Sequence, residues 1–454
     1  MCAASTGGSW KLETNDTSRW PLGRAWRGRI AFAAASAVFV VARALPFARA
    51  RVGLVLDSFD YINLAHTKSP LAALAAKRPP TFLLVMKMLS GRWQFVTWAQ
   101  FTIAVAAWIL LAAVAARAAR STVGKVVTVA VVLLVGSCLD VTQWDRLIST
   151  ESLTISLGVL LVAASFWLYE RVVPVRCAIV GVLALLWGML RDANAVVVGV
   201  VGVGLAISML ARRSRVRARI LAVAGACLVT LGLSFVSGAI GARWEQPIQN
   251  VVTMRLLRSP ERRDFLLARG LPFSPTQARR TAGHCVNPVG AFYCRRVTDP
   301  AFYRWIDHDA RDVYFQSWFA FPATTLWEPI ANARLTVGTE IPVSLVSGTG
   351  FTDPTGRSIE NWMFPRSPRV IIGWLALDAL ALAFTVRRRG WPRSATVPVV
   401  LVLLTYPHLW AVWTGDAFDV TRHALAASVQ LRLGLWLTTV ALVDAWMPAA
   451  AAEA

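Results

Sequence analysis

Long apolar runs alternate with short, strongly polar connectors along this chain. The apolar stretches fall at roughly 29–47, 93–116, 123–139, 147–169, 175–190, 194–211, 220–241, 369–386, 396–413 and 424–446. Most hold about 20 residues, enough for an α-helix to cross about 30 Å of hydrocarbon. They lack the alternating hydrophobicity of a transmembrane strand. The pattern therefore predicts an all-α polytopic membrane protein with about ten transmembrane helices. The fifth run is short, with a tryptophan near its end.

Two segments break this rhythm. The first connector, 48–92, is long and charged. The segment 242–368 exceeds an ordinary loop and predicts a small folded cap. Inside it, residues 313–332, VYFQSWFAFPATTLWEPIAN, are aromatic and apolar but interrupted by Pro322. That stretch reads as a re-entrant or interfacial helix, with a full span as the alternative. The chain thus divides into a tail (1–28), a seven-span module (29–241), the cap (242–368) and three C-terminal spans (369–454). The tail has no early apolar core. It is expected to be cytoplasmic rather than a cleaved signal peptide.

Charge sets the expected orientation. The formal net charge is +22, and 56% of residues are hydrophobic. With no nucleic-acid motif present, nucleic acid is not an expected partner, and membrane lipids are. If the N-terminus lies inside, the inner connectors carry Arg117, Arg120 and Lys125; Arg171 and Arg176; Arg212, Arg213, Arg215, Arg217 and Arg219; and Arg387, Arg388, Arg389 and Arg393. Every one of them is basic, as the positive-inside rule requires. Both termini are then cytoplasmic. The composition, rich in Ala, Val and Arg and poor in Lys, points to a bacterium of high GC content.

Of six cysteines, Cys138, Cys177 and Cys227 fall in or beside apolar runs and read as small core residues. Cys285 and Cys294 bracket VNPVGAFY in the polar cap, and are a disulfide candidate if that segment is external. No pair has zinc-site spacing.

The same orientation gathers the acids on the outer face. LDSFDYINLAH supplies Asp57, Asp60 and Tyr61; DVTQWDRLISTES supplies Asp145 and Glu151; Arg191-Asp192 and GDAFDVTRH, with Asp416, Asp419, Arg422 and His423, complete the set. Each has a plain reading as a solvated loop, a helix cap or an interfacial anchor. Each also has a chemical one. An ionised carboxylate within reach can take a proton from an attacking hydroxyl, and a second can orient that hydroxyl or hold a cation. Asp57 and Asp60 are the candidates, and a divalent cation, Mg or Mn, bridging either of them to a phosphate is compatible with the pattern but not demanded by it. Arginine suits bidentate phosphate contacts, which nominates Arg78, Arg191 and Arg422, with His423 beside them. Glu151, Tyr61 and Asp145 are candidates for sugar or acceptor contacts. RPPTFLLVMKML, 78–89, suits a helix lying on the membrane. The arginines of 255–280 read as a basic belt facing lipid headgroups.

A first span leading to LDSFDYINLAH, then RPPTFLLVMKML, then STESL at the start of the fourth run, resembles the GT-C superfamily of membrane glycosyltransferases. GMLRDANAV after the fifth run is similar to that family's frequent Arg-Pro element, with Asp192 in place of Pro. The resemblance is best over 29–241. It implies a polyprenyl-phosphate sugar donor, a cell-envelope acceptor, and a catalytic acid in the first external loop, which makes Asp57 the candidate base and Asp60 its companion. Ser58-Phe59 separates two acids that are adjacent in many relatives, so either acid is open as the base. Two other classes compete: a lipid or glycan transporter or flippase, and a non-catalytic scaffold for envelope assembly. A transporter is expected to carry ionisable groups near mid-membrane and paired halves; the sixth and seventh runs are nearly free of charge.

Overall fold

The structure is a computed structural model, described over residues 22–66, 75–210, 216–284, 297–337 and 357–448. Helices dominate it. α1 (Leu22–Arg49) leads to α2 (Leu56–Ala65), α3 (Pro80–Met88) and α4 (Trp93–Ala118). Next come α5 (Thr122–Ser137), α6 (Leu139–Thr142), α7 (Thr150–Glu170), α8 (Pro174–Gly188), α9 (Asp192–Leu210) and α10 (Arg217–Ile240). The cap region holds α11 (Glu245–Met254), α12 (Pro260–Ala268), α13 (Pro275–Thr281), α14 (Pro300–Trp305), α15 (Arg311–Ala320), α16 (Pro322–Ala331), α17 (Ala333–Thr336) and α18 (Arg357–Met363). α19 (Pro368–Arg389), α20 (Thr396–Gly415), α21 (Val420–His423) and α22 (Leu425–Trp446) close the chain.

This is an all-α, multi-pass membrane protein. Among the described residues, 8 helices are long and apolar enough to cross a bilayer. α5 and the segment Leu139–Arg146 form a further candidate that bends by 59° at Cys138. α8 is apolar but shorter, at 15 residues. Each apolar run of the sequence therefore has its helix, and two of them depart from a straight full-length span. Large apolar side chains lie exposed along the outer helices, such as Val38, Val41, Leu377 and Leu380. That is the surface a lipid-facing helix presents, because hydrocarbon rather than water surrounds it. α22 is the central helix: 72% of its most apolar window is buried, against 17% for α1 and α19.

The two ends of the bundle differ in charge. α7 begins beside Glu151 and ends beside Arg171; α22 begins beside Arg422 and ends at Asp444. Asp444 accepts the backbone N–H groups of Arg120 and Ser121, and Arg389 donates to the Ala445 carbonyl. The basic connectors after α4 and α19 thus gather at one end of α22, and the acidic segments at the other.

Residues 245–284 and 297–320 pack around a hydrophobic cluster of their own, including Val252, Leu257, Leu266, Phe302, Ile306 and Tyr314. Its helices start with strong local signals. Ser259-Pro260 and Ser274-Pro275 each place a capping hydroxyl one residue before a proline at the first helical position. Residues 313–332 form α15 and α16, broken at Phe321 as Pro322 dictates, with Phe319, Leu326 and Trp327 exposed. This is a pair of short helices with an apolar outer face, and neither is long enough to span.

Arg432 lies wholly buried in α22. Its guanidinium covers the Phe364 ring at 4.1 Å and donates to the carbonyls of Val337 (2.8 Å) and Pro365 (2.6 Å). A cation in an apolar bundle is costly unless its N–H groups are used. Here they fasten the segment after the cap to the central helix.

Candidate functional site

The site is assembled by a very small sheet. Gly53–Leu54 (β1) and Leu147–Ile148 (β2) pair in parallel, with Gly53 opposite Leu147 and Leu54 opposite Ile148. Parallel register sets the residues that follow each strand side by side. Asp57 and Glu151 lie equally far beyond their paired residues, and each falls in the first turn of its helix, α2 or α7. A carboxylate is favoured there by the exposed N–H groups of the helix start. Ser58, fully buried between the two acids of LDSFDY, locks the arrangement. Its hydroxyl accepts from the Val55 N–H at 2.8 Å and donates to the Ile148 carbonyl at 2.6 Å.

Three arginines from distant segments close on these acids. Arg78 donates to Asp57 Oδ1 at 2.8 Å and to Asp60 Oδ2 at 2.5 Å. Arg422 is the hub: Nη2 meets Asp57 Oδ2 at 2.9 Å, Nη1 meets Glu151 Oε1 at 3.3 Å, and Nε meets Asp419 Oδ2 at 2.6 Å. Arg191 pairs with Glu151 and donates twice to the Thr150 hydroxyl, at 3.1 Å each. Asp192, next to Arg191 in sequence, turns the other way and pairs with Arg243 at 2.9 Å. Asp419, which holds Arg422 in place, has a left-handed backbone with φ of 52°, a conformation that Asp adopts more readily than most residues.

Protonation follows from burial and from these charges. Burial by itself raises the Asp57 carboxyl, but Arg422 and then Arg78 outweigh it and hold the group well below the usual carboxylate range. Arg422 is likewise raised: burial opposes its charge, and Asp57, Glu151 and Asp419 more than offset that. Burial, with Arg422 and Arg191 adding to it, pushes His423 well below the usual imidazole value. His423 Nε2 lies 3.3 Å from Arg422 Nη2. Arginine can only donate, so Nε2 is the acceptor and the proton sits on Nδ1, 3.8 Å from Asp416 Oδ2. Burial raises Asp416 to about 6, even though the N–H of Phe418, the Asn250 amide and the N–H of Ala417 all favour its charged form.

The site therefore contains Asp57, Asp60, Glu151, Arg78, Arg191, Arg422 and His423, all nominated from the sequence. Several of their expected parts change. Each arginine already lies on carboxylates, so none is a bare phosphate site. His423 is a neutral imidazole that accepts from Arg422 and brings no positive charge to a phosphate. Tyr61 is buried against Phe82, ring centroids 4.8 Å apart, with Arg78 over its face at 5.9 Å; it is a platform for Arg78 rather than an open sugar contact. Asp145 belongs to a separate buried network, pairing with Arg43 at 2.5 Å and accepting from Ser152 at 2.7 Å. Arg43, a cation near the end of α1, requires that partner and withdraws Asp145 from any acceptor.

The basic belt of the cap is partly internal. Arg262 is buried on Glu328 at 2.8 Å, and Arg255 lies on the Trp413 ring at 3.7 Å with its N–H groups on the Trp413 and Asp416 carbonyls. Arg279 and Arg280 stay exposed. The disulfide candidate Cys285 and Cys294 lies outside the described residues. Sequence reasoning gave Ser58, Thr150 and Asn250 no part in the site, since short polar side chains carry no periodic signal of their own. Asp419 was seen only as one more outer acid.

The charge that a divalent cation bridging Asp57 or Asp60 to a phosphate would bring is already supplied here by arginine. Both Asp57 oxygens and Asp60 Oδ2 already receive guanidinium N–H groups. Among the described residues, no three His, Cys, Asp or Glu side chains converge as metal ligands. What the geometry offers is an ionised carboxylate, Asp57, with side-chain exposure of 21%, and a more open one, Asp60, at 55%. A carboxylate has about four lone-pair sites, so each retains some for a hydroxyl proton.

No protein-family model matches this chain, and no curated protein matches it. Two solved structures of the archaeal oligosaccharyltransferase AglB from Archaeoglobus fulgidus are similar in architecture. One, in complex with an inhibitory peptide and a dolichol-phosphate, has 11% identity and a TM-score of 0.45, over 91% of this chain and 51% of that one. The other, tethered to an acceptor peptide, has 10% identity and a TM-score of 0.44, over 90% and 50%. The chain spans about half the length of those proteins.

Proposed function

We propose that this protein is a GT-C-type glycosyltransferase that takes a sugar from a polyprenyl-phosphate donor and passes it to a cell-envelope acceptor at the outer membrane face. The observation that carries this reading is the meeting of Asp57, Asp60 and Glu151 with Arg78, Arg191 and Arg422 at the one end of an apolar bundle that lies away from its basic connectors. The positive-inside rule assigns that end to the outside.

In this reading the acceptor hydroxyl oxygen attacks the anomeric carbon while the bond from that carbon to the phosphate oxygen breaks. The electron pair leaves with the phosphate, which stays on its lipid, and the hydroxyl proton passes to a carboxylate. One direct displacement inverts the anomeric centre. Asp57 is the favoured base. Its lowered pKa makes it a weak one, yet a hydroxyl becomes acidic as its oxygen bonds to carbon, so the base needs chiefly to be ionised and in reach. Arg78 and Arg422 can share their N–H groups with the departing phosphate as Asp57 takes up the proton and loses its charge. Asp60 then serves at the rim, and Glu151 holds Arg191 and Arg422 in place.

The test is a transfer assay with purified protein and a panel of labelled polyprenyl-phosphate sugars. Asp57→Asn is expected to lower transfer by about 100-fold or more while the protein keeps its elution profile and apparent Tm to within a few degrees. Undiminished activity in that variant, with Asp60→Asn inactive, moves the base to Asp60. Full complementation of a null strain by both variants favours the scaffold.

A further inference from the structure

The arginines of the acidic cluster are all spent on carboxylates. The same is not true at the other end of the β1–β2 ladder. Arg51 precedes β1 and Arg146 precedes β2, and both line a cavity of about 470 Å³ with Trp93, Gln94 and Trp98. The ladder, about 7 Å long, lies between this cavity and the pair Asp57 and Glu151. Arg146 is only 8% exposed. Its Nε donates to the Phe47 carbonyl at 2.6 Å, and its guanidinium lies 3.9 Å from the centre of the Phe47 ring. That fixes the plane of the fork and leaves both Nη groups for the cavity. Among the described residues, no carboxylate lies within ion-pair distance of Arg146 or Arg51. A nine-tenths-buried cation without a counter-ion is costly, and an anion supplied from outside removes that cost.

The surroundings fit a boundary ligand. Trp93 and Trp98 are 42% and 49% exposed at the start of the membrane helix α4. Tryptophan at a helix end marks the level of the headgroups. Trp98 packs edge-on to Phe47 at 4.8 Å, so one aromatic shelf supports both the wall of the cavity and Arg146.

We propose that this cavity binds a phosphate group, held by the Nη atoms of Arg146 and by Arg51, and that a phospholipid headgroup supplies it. The same chemistry is offered by a soluble phosphate, so the experiment has two arms. Full-length protein in a non-ionic detergent is titrated calorimetrically with short-chain phosphatidylglycerol and, separately, with inorganic pyrophosphate; short-chain phosphatidylcholine is the zwitterionic control.

Saturable phosphatidylglycerol binding is expected, at least tenfold tighter than phosphatidylcholine. Arg51→Glu and Arg146→Gln are each expected to weaken it tenfold or more, whereas Arg279→Glu, in the exposed part of the cap, leaves it unchanged. Pyrophosphate binding with the same variant pattern and no lipid binding retains the phosphate site and overturns the lipid source. Binding of neither probe overturns the site, as does equal weakening by Arg279→Glu, which marks diffuse charge. If Arg146→Gln fails to fold, the exposed Arg51 decides alone.

Discussion

At the residue scale, Arg422 does what no other side chain does among the described residues. Its Nε and both Nη atoms reach three carboxylates brought from three segments of the chain. Lysine cannot reproduce that, because one ammonium on a flexible stem does not present a rigid fork. Arg422→Lys is expected to lower transfer by about 100-fold and to cost about 2 kcal/mol of stability, read as kcat and apparent Tm. Activity within about threefold of the parent would mean that the fork is dispensable. Asp416 makes a separate, pH-dependent prediction. Its carboxyl rises from an ordinary 3.8 to about 6 in the folded protein. The folded state thus holds the proton more tightly than the unfolded one. The resulting stability is complete below about pH 4 and is lost as pH rises through about 6, amounting to about 3 kcal/mol. Asp416→Asn keeps an oxygen for the Ala417, Phe418 and Asn250 donors and cannot ionise. Its apparent Tm is expected to approach the parent's below about pH 4 and to exceed it progressively at pH 5 and at pH 8. Equal Tm values at both pH values would show that Asp416 titrates normally.

At the element scale, the spans were legible because bilayer hydrocarbon demands about 20 apolar residues in a row, and such runs cannot hide. The bend after α5 was not, since Gly136 just before Cys138 is a residue that an apolar helix tolerates; the run at 123–139 reads as one straight helix. The acids of the site were legible as charges beside apolar runs, and their register was not. Two strands of two residues each, Gly53–Leu54 and Leu147–Ile148, fall below any periodic signal. Yet that ladder sets Asp57 beside Glu151, and Ser58 is its clasp. Ser58→Ala leaves the Val55 N–H and one Ile148 carbonyl bond unmet in a buried place, at a cost of about 1–3 kcal/mol. Because the start of α2 is then less firmly held, kcat is expected to fall about tenfold with KM little changed, consistent with misplacement of a catalytic group. An unchanged kcat alongside a lowered Tm would confine Ser58 to a structural part. The inward turn of Arg255 and Arg262, and the withdrawal of Asp145 by Arg43, were illegible for a related reason: charge counts do not say which partner a side chain reaches.

At the scale of the whole molecule, the reading depends on which side of the bilayer the acidic cluster faces. Sequence and structure bear on this differently. The structure places Arg120 and Arg389 at one end of α22, and Arg422 with its three carboxylates at the other. Basic connectors resist translocation, so the arginine bias favours the Arg422 end as the outer one. The proposed transfer from a lipid-linked sugar to an envelope acceptor needs the outer face, so it stands only if the two arguments agree. Thiol accessibility checks this. Cys138, Cys177 and Cys227 are buried, and Cys2, Cys285 and Cys294 are replaced by serine. Into that background go Phe59→Cys, at a position 57% exposed between Asp57 and Asp60, and Arg387→Cys, exposed at the end of α19. In intact cells a membrane-impermeant maleimide is expected to label position 59 at once and position 387 only after permeabilisation. The reverse pattern would put Asp57 in the cytosol and remove the outer-face reaction, while leaving the ion network and the Arg146 cavity as they stand.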